Sequence, residues 1–291
     1  MTVQAYSSPT TVDEAVRLLA DGERHPRVFA GGTDLLIQLR SGARTNEHLI
    51  DLKRIAELNA LHADAGAGLR LGGAVSCTRL VEHAAAAVLY PGLVEAAALI
   101  GSTQIQNRAT VAGNLCNGSP AADTTPALLA LDAICVLAGP RGRREVPAAE
   151  IVTGPVRTVL ADDELLVEIR APAPAAREAD AYQRMTPRSE MDIAIVGVAA
   201  RVRLDGDGRC EEARIAMGAV GPRATCAPKA ALSLIGSRID EGKAAEAANL
   251  AAGDTQPISD KRGTAQYRRE VTTVLTRRVI LEAARRARER A

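Results

Sequence analysis

The 291-residue chain has no tryptophan, one phenylalanine (Phe29) and four tyrosines. Proteins that stack nucleic-acid bases on aromatic platforms need more rings than that. The cores must be built from Ala, Val, Leu and Ile. Charge of one sign is also missing: 36 Lys and Arg stand against 35 Asp and Glu, a formal net charge of +1. No global field points to nucleic acid or membrane. No stretch approaches the roughly 18 uninterrupted apolar residues of a spanning helix, and Met1 to Ala5 has neither a basic nor an apolar leader region. The expectation is a cytoplasmic protein without membrane insertion. Cysteine is sparse and odd in number (Cys77, Cys116, Cys135, Cys210, Cys226), with no two closer than 16 positions. That excludes a C-x-x-C pair within the chain and argues against a disulfide framework. Among His25, His48, His62 and His83 no pair has metal-ligand spacing, so no metal site is expected. A P-loop lysine motif is absent, as is G-x-G-x-x-G; Gly66-Ala67-Gly68 comes closest, but Leu71 holds the third glycine position.

What is present is a pair of glycine stretches. In the first, Arg27, Val28, Phe29 and Ala30 read as a strand that runs into Gly31-Gly32, and Thr33, Asp34 and Leu35 open a helix. Leu35, Leu36, Ile37 and Leu39 give that helix an apolar side, and Thr33 or Asp34 can cap it. Gly31 and Gly32 lack Cβ, so their backbone can take positive φ and lie against a ligand. Successive N–H groups in such a turn form an anion-binding concavity suited to a diphosphate. An ordinary strand-to-helix turn is the alternative. If Asp34 caps the helix with its side chain, it serves the site only through its backbone N–H, because a carboxylate repels a phosphate.

Around this stretch the chain reads as α+β. Thr11-Val12-Asp13-Glu14 is a capping box; Val12, Ala15, Val16 and Leu19 have helical spacing, with Gly22 as a stop. Strands near Val3 to Tyr6, Val28 to Ala30 and Leu49 to Leu52 complete a β-α-β lobe of about residues 1–57. From Leu58 to residue 172 a larger mixed lobe is expected. It has hairpins about Asp64 to Gly68 and Gly139 to Gly142, helices over Leu80 to Leu89 and Leu93 to Ile100 parted by Pro91-Gly92, and a strand from Glu164 to Arg170. Ala171 to Ala176 is the linker candidate. Residues 177–291 form a smaller α+β domain, with a hairpin turning at Asp205 to Gly208 and helices near Lys229 to Ile235, Lys243 to Ala252 and Tyr267 onward. The arginines of that last helix (277, 278, 285, 286, 288, 290) are either a solvated face or a docking surface for an acidic partner.

The second glycine stretch follows about 80 residues after the first. Within Ile100 to Ala130, Gly101 to Pro126 is a long run of small and polar residues between apolar helices, best read as a binding loop. Ala112 and Gly113 allow close backbone approach. Thr110, Asn114 and Ser119 offer neutral hydrogen-bonding side chains. Asp123, acceptor-only when ionised, suits sugar or ribityl hydroxyls, or else it caps the helix that begins at Thr124 or Thr125.

Ala30-Gly31-Gly32-Thr33-Asp34-Leu35, then Thr110-Val111-Ala112-Gly113-Asn114, then Ser119-Pro120 to Asp123 resemble the FAD-binding medium subunit of molybdenum hydroxylases, a family that includes xanthine dehydrogenases and aerobic carbon monoxide dehydrogenases. Tyr182-Gln183-Arg184-Met185, Arg188, Asp192-Ile193-Ala194 and Met217 to Val220 resemble its C-terminal domain, so the likeness covers essentially the whole chain. The resemblance implies FAD lying non-covalently between two N-terminal lobes, both glycine loops at its diphosphate, Ile100 and Leu165 near the flavin and Asp123 at the ribityl or diphosphate region. A lysine common near the flavin of xanthine-oxidising members aligns with Gln183, which leaves NAD⁺, oxygen or a quinone open as acceptor. The resemblance further implies a small partner with [2Fe–2S] clusters, a large molybdopterin partner that does the hydroxylation, and a dimer of such heterotrimers. A self-sufficient flavin oxidase and a flavin-free scaffold are the competing readings.

Overall fold

A parallel three-stranded sheet opens the chain. β1 (Val3–Ser7) runs into α1 (Val12–Ala20), which begins where Thr11 Oγ1 accepts from the Glu14 N–H at 3.2 Å. The Glu14 carboxylate reaches the Thr10 N–H (2.9 Å), one residue short of a reciprocal capping box. Val12, Ala15, Val16 and Leu19 are buried, as their spacing requires. Gly22, the expected stop, lies outside the described residues, which are 3–21, 25–45 and 47–290 of a computed structural model. β2 (Pro26–Phe29), α2 (Leu35–Arg40) and β3 (Glu47–Asp51) complete the lobe. β3 lies between β1 and β2, parallel to both, and is buried at every position. Its carboxylate ends are therefore satisfied by partners, as buried charges must be. α2 departs from expectation: Leu39 is its one buried residue, and Ile37 is 64% exposed.

The larger lobe is an antiparallel sheet covered by short helices. β4 (Leu61–Asp64) and β5 (Gly68–Gly72) form the first hairpin, β6 (Ile134–Gly139) and β7 (Gly142–Pro147) the second. A small ribbon, β8 (Val152–Gly154) with β9 (Arg157–Thr158), precedes β10 (Leu165–Ala171), and the sheet order is β4-β5-β10-β6-β7. Leu165 and Val167 face a core shared with α1 and β3, which joins the lobes; Leu166, Ile169 and Ala171 face the helices. The predicted helix from Leu80 to Leu89 is in fact two, α3 (Cys77–Val81) and α4 (Ala84–Leu89), because His83 Nδ1 caps the second by accepting from the Ala86 N–H (3.2 Å). The expected break between helices falls at Tyr90, and Pro91-Gly92 forms the first turn of α5 (Pro91–Ala98), where proline's missing donor costs nothing. The expected loop from Gly101 to Pro126 also folds differently. It contains α6 (Thr103–Gln106) and α7 (Val111–Cys116) and reaches α8 (Thr124–Ala130). Pro147 leads into the single turn α9 (Ala148–Ile151).

Residues 172–176 carry no regular structure, yet they are tied down: the buried Tyr90 hydroxyl donates to the Pro172 carbonyl at 2.9 Å. Beyond them β11 (Glu178–Met185), β12 (Val196–Leu204), β13 (Cys210–Gly218) and β14 (Thr225–Cys226) pair antiparallel in that order. The β12–β13 turn is closed by Asp205 Oδ1, which accepts from the Asp207 (2.9 Å) and Arg209 (2.8 Å) N–H groups. α10 (Pro228–Leu234), α11 (Glu241–Gly253) and α12 (Ala265–Glu289) cover the sheet. Their contact is alanine-rich, Ala244, Ala247 and Ala251 meeting Ala283, Ala284 and Ala287. This is how a chain without large rings packs its core.

The arginines at the end of α12 are intramolecular anchors rather than a free face. Arg286 donates to the Asp180 carbonyl (3.0 Å) and pairs with Glu95 and Glu282. Arg288 donates to the Ile239 carbonyl (2.7 Å), and Arg290 to the Glu178 carbonyl (2.8 Å) and to Leu89 (3.3 Å). Arg277 and Arg278 remain exposed. Beneath these anchors the fully buried Asp180 carboxylate accepts from the Leu93 N–H (3.2 Å) through one oxygen; the other has no partner among the described residues. Burial pushes its pKa up to about 6.

Candidate cofactor cleft

β2 and β3 end side by side, Phe29 in register with Asp51, and the chain leaves β2 through Ala30 into the double glycine. Ligands of parallel sheets collect at such strand ends. Here a cleft of about 310 Å³ opens between the two N-terminal lobes. One wall contains Arg27, Val28, Ala30, Gly31, Gly32, Thr33, Asp34 and Leu35, and the facing wall contains Ile100, Thr110, Gly113 and Asn114.

The two glycine stretches touch. A Cβ on Gly31 would lie 2.9 Å from the Ala109 Cα and the Arg108 carbonyl carbon, and closer still to the Arg108 oxygen. Only glycine lets the loops pack backbone to backbone. Gly32 has φ +76°, the left-handed region that glycine enters without cost, and its Cα rests against the Phe29 ring. Among the described residues none accepts a hydrogen bond from the N–H groups of Gly31, Gly32, Thr33 or Asp34. Four consecutive unpaired donors on the wall of a cleft call for an acceptor-rich ligand.

Asp34 makes no side-chain cap. Its own backbone is already helical (φ −91°, ψ −46°), which an N-cap residue is not. Its carboxyl stands in the concave wall, and desolvation there raises its pKa. The capping instead happens across the cleft: Thr110 Oγ1 accepts from the Gly113 N–H at 2.8 Å and starts α7. Asn114 Oδ1 accepts from the Thr124 N–H (3.2 Å) and hydroxyl (2.7 Å), so it ties α7 to α8 and keeps only its amide donors free. Ser119 Oγ accepts from the Ala121 N–H (3.3 Å). These oxygens stiffen the wall rather than face the cleft.

Several expected site residues lie apart from the cleft. Phe29 stands behind the glycine loop, Val111 and Ala112 are buried in α7, and Leu165 is in the core between the lobes. Asp123 is not a side-chain cap of α8 either. It is buried, accepting from the Tyr182 hydroxyl (2.9 Å) and pairing with Arg184 (2.7 Å), so it joins α8 to β11. Burial raises its pKa, and the Arg184 cation acts in the other direction. Gln183 is half-buried on β11, opposite Val198.

The cleft also has walls that no sequence signal marked. Thr158, Leu160, Ala161, Asp162 and Glu164 close one side, where Glu164 is tied to Arg144 by two bonds of 2.7 Å. At the other, Arg27 and Arg44 share one buried carboxylate, Glu47, at 3.2 and 3.8 Å. Two cations meet the Glu47 carboxylate there, with the Asp34 carboxyl on the same wall. Cys116 also lines the cleft, and burial pushes its thiol up to about 12, so it is a neutral wall residue. Among the described residues no group of His, Cys, Asp and Glu is arranged to hold a metal ion, and no helix is long and apolar enough to cross a membrane.

Residues 1–174 match the family described as the FAD binding domain in molybdopterin dehydrogenase, and residues 180–283 match the CO dehydrogenase flavoprotein C-terminal domain. The xanthine dehydrogenase FAD-binding subunit of Escherichia coli O157:H7 is 33% identical over 280 residues, 96% of this chain and 95% of that one. The carbon monoxide dehydrogenase medium chain of Hydrogenophaga pseudoflava is 33% identical over 275 residues, 94% of this chain and 95% of its own. Among solved structures, carbon monoxide dehydrogenase from Hydrogenophaga pseudoflava superposes with a TM-score of 0.92 at 33% identity, covering 98% of both chains. Quinoline 2-oxidoreductase from Pseudomonas putida 86 superposes with a TM-score of 0.89 at 34% identity, covering 97% of both.

Proposed function

Since this chain belongs to the family of FAD-binding subunits of xanthine and carbon monoxide dehydrogenase-type molybdenum hydroxylases, and is thus the flavoprotein component of an oxidoreductase, we propose that it is the electron relay of a larger complex. FAD, when bound, takes up electrons singly or in pairs and gives them to an external acceptor. The chain's own residues bind, orient and shield. Gly31 to Asp34 offer N–H donors to the diphosphate, and the Arg27–Arg44 end balances its charge. Ile100 supplies an apolar wall for a ring. The residues fit the cofactor: a cleft near the lower end of the roughly 300–1,000 Å³ typical of ligand sites suits a dinucleotide left partly open. Binding is non-covalent, since residues 30–35 contain no histidine.

The electrons come from [2Fe–2S] clusters of a small partner subunit, and a large molybdopterin subunit performs the hydroxylation, the three assembling as a dimer of heterotrimers. The acceptor is NAD⁺, oxygen or a quinone. Residues 1–172 act as the FAD domain and 177–291 as a domain that braces it. The observation that carries this reading is the row of four unpaired amides on the cleft wall, held against the second glycine stretch. Expression together with the neighbouring reading frames tests it: the chain should purify yellow, release FAD on denaturation and bring two other polypeptides with it. A colourless chain that sediments as a monomer beside its co-expressed neighbours would refute the proposal.

A further inference from the structure

Behind the glycine loop, on the side away from the cleft, lies a charged group that none of the site residues includes. Lys53 follows β3 in the short turn Leu52–Arg54. Its ammonium pairs with Asp51 Oδ1 at 2.7 Å, donates to the Ala30 carbonyl at 3.3 Å and sits 4.0 Å from the centre of the Phe29 ring. Asp51 is fixed in turn: its Oδ1 accepts from the Lys53 N–H (2.9 Å) and its Oδ2 from the Tyr6 hydroxyl (2.5 Å). Burial works against the Asp51 charge, but the bonds from Lys53 and Tyr6 outweigh it and hold the carboxyl below its ordinary pKa. Tyr6, Asp51 and Lys53 thus form a chain of contacts that runs from β1 to the back of the loop.

We propose that Lys53 is a positioning residue of the FAD site, aiming the diphosphate-binding amides through the Ala30 carbonyl and the Phe29 ring. The peptide unit between Ala30 and Gly31 is planar and trans, so its C=O and N–H point in opposite directions. With the oxygen fixed on the ammonium behind the loop, the Gly31 N–H turns toward the cleft. The ring beneath the same ammonium is the surface against which Gly32 holds its positive φ. A cation over a ring face is attracted to it and keeps the ring from rotating away. One ammonium therefore orders two successive peptide groups whose N–H donors, at Gly31 and Gly32, have no partner among the described residues.

The inference rests on the FAD reading above. Its test uses the complex as purified, stripped of flavin with chaotropic salt and titrated with FAD, for the wild type, Lys53→Met, Lys53→Gln and Lys53→Arg. Removal of one charge-assisted hydrogen bond and the order it imposes should weaken FAD binding roughly 10- to 100-fold in the Met and Gln variants. Arg, which keeps the charge and the donors, should restore affinity to within about threefold. Lys53→Met and Lys53→Gln leave the buried Asp51 carboxylate to the Tyr6 hydroxyl and the residue-53 amide, so the melting temperature of the stripped protein should fall, and affinities are compared at a temperature where every variant is folded. Wild-type affinity in Lys53→Met or Lys53→Gln overturns the proposal, as does a loss that Lys53→Arg fails to rescue. If Lys53→Met does not fold, the comparison of Gln with Arg decides the matter. A wild-type complex that takes up no FAD sinks the functional reading itself.

Discussion

Gly31→Ala is the sharpest probe of the cleft. The added methyl meets backbone, at 2.9 Å from the Ala109 Cα and the Arg108 carbonyl carbon, and no side-chain rotation can relieve it. The two glycine stretches must part by about 1 Å at the Arg108 carbonyl to recover ordinary contact. Overpacking of this kind costs about 1–3 kcal/mol of stability, a drop of several degrees in melting temperature. The loss in binding should be larger. A shift of about 1 Å misaligns at least two amide bonds to the diphosphate, each worth about 1.5–3 kcal/mol. Together they give about 3–6 kcal/mol, or roughly 10²- to 10⁴-fold in affinity. Gly42→Ala is the control. It has the same φ of +76° as Gly32 but nothing within 4 Å of a new Cβ, so it bears only the left-handed strain of about 1–2 kcal/mol. The assay is flavin absorbance per protein after desalting, followed by FAD titration of the stripped protein. A Gly31→Ala variant with full flavin and wild-type affinity would show that contact between the stretches is irrelevant to the site.

Gly32→Val should purify without FAD while residues 177–291 stay folded, since valine meets both the positive φ and the Phe29 ring; full flavin content would refute this. Asp180 predicts a pH signature. Its pKa is raised to about 6 in the fold, so its stabilising contribution is complete below about pH 4 and is lost as pH rises through 6. The loss is up to about 3 kcal/mol, and Asp180→Asn should erase it. Denaturant curves between pH 4 and 7 that keep a constant gap between wild type and variant would contradict it. Arg286→Ala removes the pairing with Glu95 and the bond to the Asp180 carbonyl. It should cost about 1–3 kcal/mol and speed proteolysis at residues 172–176; an unchanged cleavage rate would count against an anchoring role.

Much of the fold can be read from punctuation. Thr11, the turns at Asp64 and Asp205, and the apolar spacing of α1 and α12 are local signals, and local physics honours them. β11 was opaque because its buried positions include Glu178 and Asp180, whose partners, Arg201 and the Leu93 amide of α5, lie on other elements. α6 and α7 have four and six residues, too few for a periodicity to register. The site was half legible. Glycine pairs mark where backbone approaches something, but that Gly31 approaches Arg108 and Ala109 is a tertiary fact. The partners of Asp123 cannot be seen in its polar run, because Arg184 and Tyr182 arrive from β11. Arg286, Arg288 and Arg290 misled for the same reason, since carbonyl acceptors leave no trace in a sequence.

The anchoring of α12 to α5 sets an order of events during translation. Glu164, the last residue of the cleft wall, emerges from the ribosome 122 residues ahead of Arg286, so the nucleotide cleft is complete before its brace exists. Elongation at about 5–20 residues per second makes that interval roughly 6–24 s. Flavin captured in that window would stabilise the nascent half by mass action, which makes cofactor supply a determinant of how much full-length protein survives.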